Sequence, residues 1–251
     1  MIEIISILSG ILVGFSLGLT GGGGSVFAVP LLVYVVGLDV HLALGTSLAS
    51  VGITSLFGSI SSIYHKQADL RVGVIFGLCA VFGTYFGTRV NGLLEGSMLL
   101  LLFSCLMLFM GIKMWRRSTP PAGPSAEAEA GFSIYVLILA GIGTGVASGL
   151  FGIGGGFLIV PALLFIARLD IHRAVATSLC IIAANGMAGM ASYAIQGREI
   201  DYMITGWFTL GGVLGIQGGK KLGKRLDQGL LMKVFAVVII GIAGFVIAEN
   251  I

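Results

Sequence analysis

Two glycine runs carry the chemistry this sequence offers. One is Thr20-Gly21-Gly22-Gly23-Gly24-Ser25; the other is Phe151-Gly152-Ile153-Gly154-Gly155-Gly156. Each stands just before an apolar stretch able to start a helix. A helix N-terminus carries roughly +0.5 charge and up to four unpaired N–H donors. It therefore takes anions readily, and glycine leaves those donors unobstructed. Candidate anion-binding positions are Thr20, Gly21, Gly22, Gly23, Gly24, Ser25, Gly152, Gly154, Gly155 and Gly156. The plainer role of these glycines is tight turning and close helix packing. Thr46 and Ser47, matched by Thr177 and Ser178, lie in the first turns of the next long apolar segment. Their hydroxyls can donate to anion oxygens or bond back to the preceding helix turn. Asn185 lies two turns on, where the first half has Thr54, and can line a cavity or join helices.

These residues belong to a duplicated segment. Residues 10–48 align with 141–179 at a fixed offset of 131, and 18 of the 39 positions are identical, from Gly10 through Pro30, Asp39 and His41 to Leu48. A repeated hydrophobic segment interrupted by glycine points to the binding site of a secondary transporter.

Composition sets the class around them. The 251 residues are 57% hydrophobic and 10% charged, and the mean hydropathy is +1.07. Soluble domains carry about 25% charge, so this chain could not cover a water-facing surface. It reads as a polytopic membrane protein in contact with lipid. The net charge of +3 fits positive-inside loops and gives no reason to invoke nucleic acid. The N-terminus, with Glu3 and no basic residue, reads as a retained first helix. Cys79, Cys105 and Cys180 sit in apolar segments without metal spacing, so no metal, disulfide or cofactor is expected.

Five apolar segments fall in each half: 2–19, 25–37, 40–64, 70–92 and 97–115, then 132–150, 156–168, 171–196, 202–219 and 229–248. Crossing a bilayer takes about 20 helical residues. The second segment of each half is too short, so the glycine break implies a re-entrant hairpin or a short helix pair. The expected fold is all-α, with two inverted-topology repeats. Each has that broken element plus three full transmembrane helices. Residues 1–115 form the first repeat, 116–130 a cytoplasmic linker and 131–251 the second repeat.

The inversion is an argument from charge. Lys113, Arg116 and Arg117 place the linker inside, and KKLGKRLDQ (220–228) is inside for the same reason. A parallel repeat would put those two stretches on opposite faces. Both termini then lie outside.

Other polar residues have two readings each. Asp39 and Asp170 precede matched helices and read as N-caps or as coupling groups. His41 and His172 follow them as interfacial packing or proton-linked residues. Arg89 and Lys221 match after a one-residue shift and would sit at opposite mouths. No nucleophile–histidine–carboxylate set, HExxH or Walker motif occurs, so the sequence does not read as an enzyme.

The pattern G-x-x-x-G-x-x-x-G-x-G-G-G, then V-P-x-L, then A-x-x-T-S-L, resembles the sulfite exporter TauE/SafE family of membrane permeases. It covers nearly the whole chain. The resemblance implies an inner-membrane carrier of sulfite, thiosulfate, sulfoacetate or another organosulfonate. An anion channel and a non-transport membrane assembly factor are the competing classes. Transport direction, coupling ion and homo-oligomerisation stay open.

Overall fold

The computed structural model describes residues 2–116, 134–223 and 228–250. Residues 117–130 of the expected 116–130 linker and residues 224–227 of the basic stretch 220–228 lie outside these residues. Among those described there are ten helices and no strand. The first half contains α1 (Ile2–Thr20), α2 (Ser25–Pro30, continued by a π-helical turn Leu31–Val35), α3 (Val40–Tyr64), α4 (Leu70–Asn91) and α5 (Gly96–Arg116). The second contains α6 (Ile134–Phe151), α7 (Gly156–Phe165), α8 (Ile171–Ile195), α9 (Tyr202–Gly223) and α10 (Gln228–Asn250). Six helices among the described residues are long and apolar enough to cross a membrane: α1, α3, α4, α5, α6 and α8.

The expected segments therefore form helices, with one refinement. The first helix has 19 residues, about 28 Å at 1.5 Å per residue. The glycine break therefore shortens only the helix that follows it. In α2 the Val36 N–H reaches the Leu31 carbonyl at 2.9 Å, the wide turn of a π-helix. Pro30 precedes it, but the matched Pro161 sits inside α7, which stays α-helical. The proline alone does not set the widening.

Helices pair across the halves. Residues Gly10, Gly14 and Gly18 of α1 face the backbone of Phe208, Gly212 and Ile216 on α9, and a Cβ there would fall 2.0–2.4 Å from a carbonyl oxygen. In the other pair, Gly145 and Gly149 of α6 face the Ala80 and Thr84 carbonyls of α4 in the same way, at 2.0 and 2.2 Å. Small residues let these backbones touch where side chains could not fit. In both pairs the contacts advance together along the two chains, so the helices run parallel.

The two longest helices cross instead. Gly45 meets Tyr193, Leu48 meets Gly189, and Gly52 meets Gly186. Numbers rise on α3 as they fall on α8, so these matched helices are antiparallel. Helices α5 and α10 also run antiparallel: Leu99 and Leu100 cluster with Val246, while Phe103 and Met107 cluster with Ala243 and Ile239. The described chain ends, Ile2 and Asn250, thus lie at one end of the bundle. The C-terminal ends of α1, α3, α5 and α9 lie at the other.

Candidate anion pathway

At that other end a cavity of about 780 Å³ opens between α1, α3, α5, α7, α8 and α9. Its lining includes Lys66, Lys113, Arg173, Lys220 and Lys221, together with His65 and His172; among the described residues Asp170 is its one carboxylate. Five cations against one carboxylate, on partly apolar walls, draw anions inward. The lining also takes in Gly18 of α1 and Thr20 and Gly23 of the first glycine turn. Lys220 is half-buried; its Nζ donates to the Gly58 carbonyl and to Ser62 Oγ, the latter at 3.0 Å. It thereby ties α9 to α3 while carrying positive charge into the cavity wall.

Each glycine turn rests on the other half of the chain. Gly21, with φ +74°, lies where a Cβ would come within 2.6 Å of Val175 Cα. Gly152, with φ +66°, stands equally close, 2.7 Å, to Leu44 Cα. Positive φ and this approach both exclude a side chain. The turns also touch one another: a Cβ on Gly22 would lie 2.0 Å from the Gly156 carbonyl oxygen. They meet backbone to backbone there and leave no gap between those two positions.

The turns differ in how their donors are used. In the first, the amides of Gly21, Gly23, Ser25, Val26 and Phe27 bond to Leu17 O, Thr20 Oγ1, Gly22 O, Gly23 O and Gly24 O. Thr20 Oγ1 donates to Ser16 O, and Ser25 Oγ to Gly22 O at 2.7 Å. In the second, the amides of Ile153, Gly154, Gly155 and Gly156 have no partner among the described residues. The residues 151–156 are buried. Ser148 Oγ, buried beside Gly155, also lacks a partner among the described residues.

The Thr-Ser pairs divide likewise. Thr46 Oγ1 accepts from the Asp201 amide at 3.4 Å, and Thr177 Oγ1 from the Asp69 amide at 2.9 Å. Each binds the start of a helix in the opposite half. Ser178 Oγ donates to Gly21 O at 2.7 Å, whereas Ser47 Oγ is buried without a partner among the described residues. Asn185 is buried too, and neither of its amide atoms has a partner there.

The remaining candidates separate. Asp39 and Asp170 accept from the His41 and His172 amides at 2.9 and 3.0 Å, as N-caps do. His172 and Lys221 line the cavity. Arg89 is exposed at the far end, with its guanidinium over the Tyr85 ring at 5.1 Å. His41 also lies at that end, against Arg198. Sequence reasoning used Lys113 and the stretch beginning at Lys220 only to orient the chain, and did not single out Lys66 or Arg173 as site residues. It also missed a polar set on α4 and α8. The signal was there in α4: Thr84, Thr88 and Asn91 recur on one face of an otherwise apolar helix.

The family model for sulfite exporter TauE/SafE matches residues 6–246. A probable membrane transporter protein of Xylella fastidiosa (strain Temecula1) is 40% identical over 97% of this chain and 94% of its own length. Probable membrane transporter proteins YdhB of Bacillus subtilis and MJ0441 of Methanocaldococcus jannaschii are each 28% identical, over 88% and 93% of this chain and 90% and 91% of their own lengths. No solved structure matches it significantly. The chain belongs to the TauE/SafE sulfite exporter family of membrane transporters.

Proposed function

We propose that this protein is a secondary transporter of a small sulfur-containing anion: sulfite, thiosulfate, sulfoacetate or another organosulfonate. It works by alternating access of two inverted repeats. The observation that carries this reading is the cationic cavity of about 780 Å³ lined in part by a glycine turn. Inversion is supported by the antiparallel run of the matched helices α3 and α8. The basic lining supports a cytoplasmic position for the cavity in an inner membrane, by the excess of Lys and Arg on that side. Both termini would then lie outside.

The anion binds beside the point where the two turns touch. Thr20 and Gly23 approach it from the cavity. The open amides of Ile153 to Gly156, with Ser148 and Ser47, supply buried donors. A buried donor left unpaired costs about 1–3 kcal/mol. Four adjacent amides and a hydroxyl without partners therefore favour a site completed by an anion. No fixed cation is required at that depth.

Purified protein should show a saturable thermal shift with sulfite, thiosulfate or sulfoacetate and none with choline or sodium alone. In liposomes, preloaded anion should accelerate uptake of the same labelled anion. Absence of any shift with all three anions would sink the substrate class. Flux without counterflow would favour a channel.

A further inference from the structure

The cavity has a counterpart at the far end of the bundle, and there the same positions are filled. With the offset of 131, cavity residues Ser61, Ser62, His65 and Gln67 correspond to Ser192, Tyr193, Gln196 and Arg198. The backbone agrees: the Gln67 amide donates to Ser62 O and the Arg198 amide to Tyr193 O, each at 3.0 Å. His172 corresponds to His41. With the one-residue shift of α9, Lys220 and Gly223 correspond to Thr88 and Asn91. Every residue so found belongs to one polar network.

That network is dense and buried. Thr88 Oγ1 and Ser192 Oγ share a hydrogen bond of 2.6 Å, and Gln196 Nε2 donates to both, at 3.2 and 2.9 Å. Tyr193 OH donates to Asn91 Oδ1 at 3.0 Å, and Asn91 Nδ2 donates to the Leu150 carbonyl at 2.6 Å. The Arg198 guanidinium lies 4.1 Å from the Tyr193 ring centroid. It also donates to Thr88 O at 3.3 Å and to His41 Nδ1 at 3.0 Å. Thr88, Asn91 and Tyr193 are 0% exposed. The bonds join α3, α4, α6 and α8, the pseudo-symmetric partners of α8, α9, α1 and α3 around the open cavity.

We infer that this network is the second entrance of the carrier, held shut, with Tyr193 and Arg198 as its gate. This rests on the alternating-access reading above. The aromatic ring fills the entrance, and the guanidinium fastens it to α3 and α4 through contacts that a separating α8 must break. The two entrances are chemically unlike. The open one is lined by Lys66 and Lys220, where the shut one has Gly197 and Thr88. When the shut entrance opens, Arg198 becomes the cation that meets the anion there.

The test uses no substrate, so it stands apart from the sulfur-anion assignment. In a background with Cys79, Cys105 and Cys180 changed to Ala, one reporter cysteine replaces Ala49, which is buried in a cluster with Tyr193 and Ile200. A second, separate reporter replaces Ser61 in the cavity. Arg198→Ala should speed maleimide labelling at position 49 by about tenfold, the loss of charge-assisted bonds. It should slow labelling at position 61. Unchanged rates at both reporters, or a rise at both, overturns the gate. Adding T88C and S192C, whose parent hydroxyls touch, should under oxidation restore the slow pattern to Arg198→Ala, and reduction should release it. Failure of that rescue in monodisperse protein also overturns it.

Discussion

In the first glycine turn five amides and the hydroxyls of Thr20 and Ser25 bond within or just before the turn, and only the Gly22 and Gly24 amides have no partner among the described residues. In the second, four consecutive amides and the Ser148 hydroxyl remain open among the described residues. The difference follows from two substitutions between copies. Where the first has Thr20 to accept from Gly23, the second has Phe151, which packs against Phe103 with centroids 5.7 Å apart. Where the first has Ser25 to bond the Gly22 carbonyl, the second has Gly156. A duplicated element thus yields one turn braced by its own hydroxyls and one that leaves more of its donors open. The first turn, through Thr20 and Gly23, lines the cavity.

The largest effect should come from filling the contact between the turns. Gly22→Ala puts a Cβ 2.0 Å from a backbone oxygen, and Gly156→Ala puts one 2.7 Å from another. Neither neighbour is a side chain that can swing away. Overpacking of this kind costs about 1–3 kcal/mol, and more where backbone must move. Gly22→Ala should abolish monodisperse protein in size-exclusion chromatography, and Gly156→Ala should lower the melting temperature by less. Gly143→Ala, with nothing within 4 Å, should behave as wild type. Equal tolerance of all three would break the claim that the turns touch.

A crossed pattern should separate the two matched serines. Ser178 Oγ bonds Gly21 O, so Ser178→Ala should cost about 1 kcal/mol of stability, read by thermal melting. Ser47 Oγ has no partner among the described residues, so Ser47→Ala should leave melting unchanged or raised. If Ser47 serves the anion, the same variant should weaken sulfur-anion binding by about tenfold. Equal melting temperatures for the two variants would remove the asymmetry.

Thr177→Val and Thr46→Val sharpen it further. The Thr177 bond to the Asp69 amide is 2.9 Å and the Thr46 bond to the Asp201 amide 3.4 Å. A buried amide that loses its acceptor costs about 1 kcal/mol. Thr177→Val should therefore melt lower, and Thr46→Val should fall between it and wild type. Identical losses would show that bond length does not rank these two sites.

Much of this was legible in the sequence, for stated reasons. Helix positions follow from hydropathy, which lipid enforces along each segment separately. The caps at Asp39 and Asp170 follow from local geometry. Partner choice is not local. The G-x-x-x-G face of α1 announces a close contact but not that α9, nearly two hundred residues on, supplies the carbonyls. The hydroxyls of Ser25, Ser178, Thr46 and Thr177 looked alike as donors. Only the fold assigns three of their four partners to distant residues or turns, and leaves Ser47 without one among the described residues. Lys220 and Lys221 are adjacent in a basic stretch. Only the direction of α9 turns the first toward α3.

The smallest predicted effect concerns the cavity rim, and it tests whether charge or donor geometry governs entry. Lys66, Lys113, Arg173 and Lys221 are exposed, and Arg173 is already paired with Asp170 at 3.6 Å. Exposed charges act on an approaching anion over about 8 Å at 0.15 M salt. Each single change to Gln should therefore slow anion uptake only about twofold at low salt. High salt should erase the difference. Arg173→Gln should be weakest of the four, because Asp170 already offsets its charge. Lys220→Gln should differ in kind: its charge is half-buried and bonded to α3, so salt should not rescue it. If high salt restored Lys220→Gln as it restores the rim variants, Lys220 would be one more steering charge. The cavity would then owe its selectivity to the turns alone.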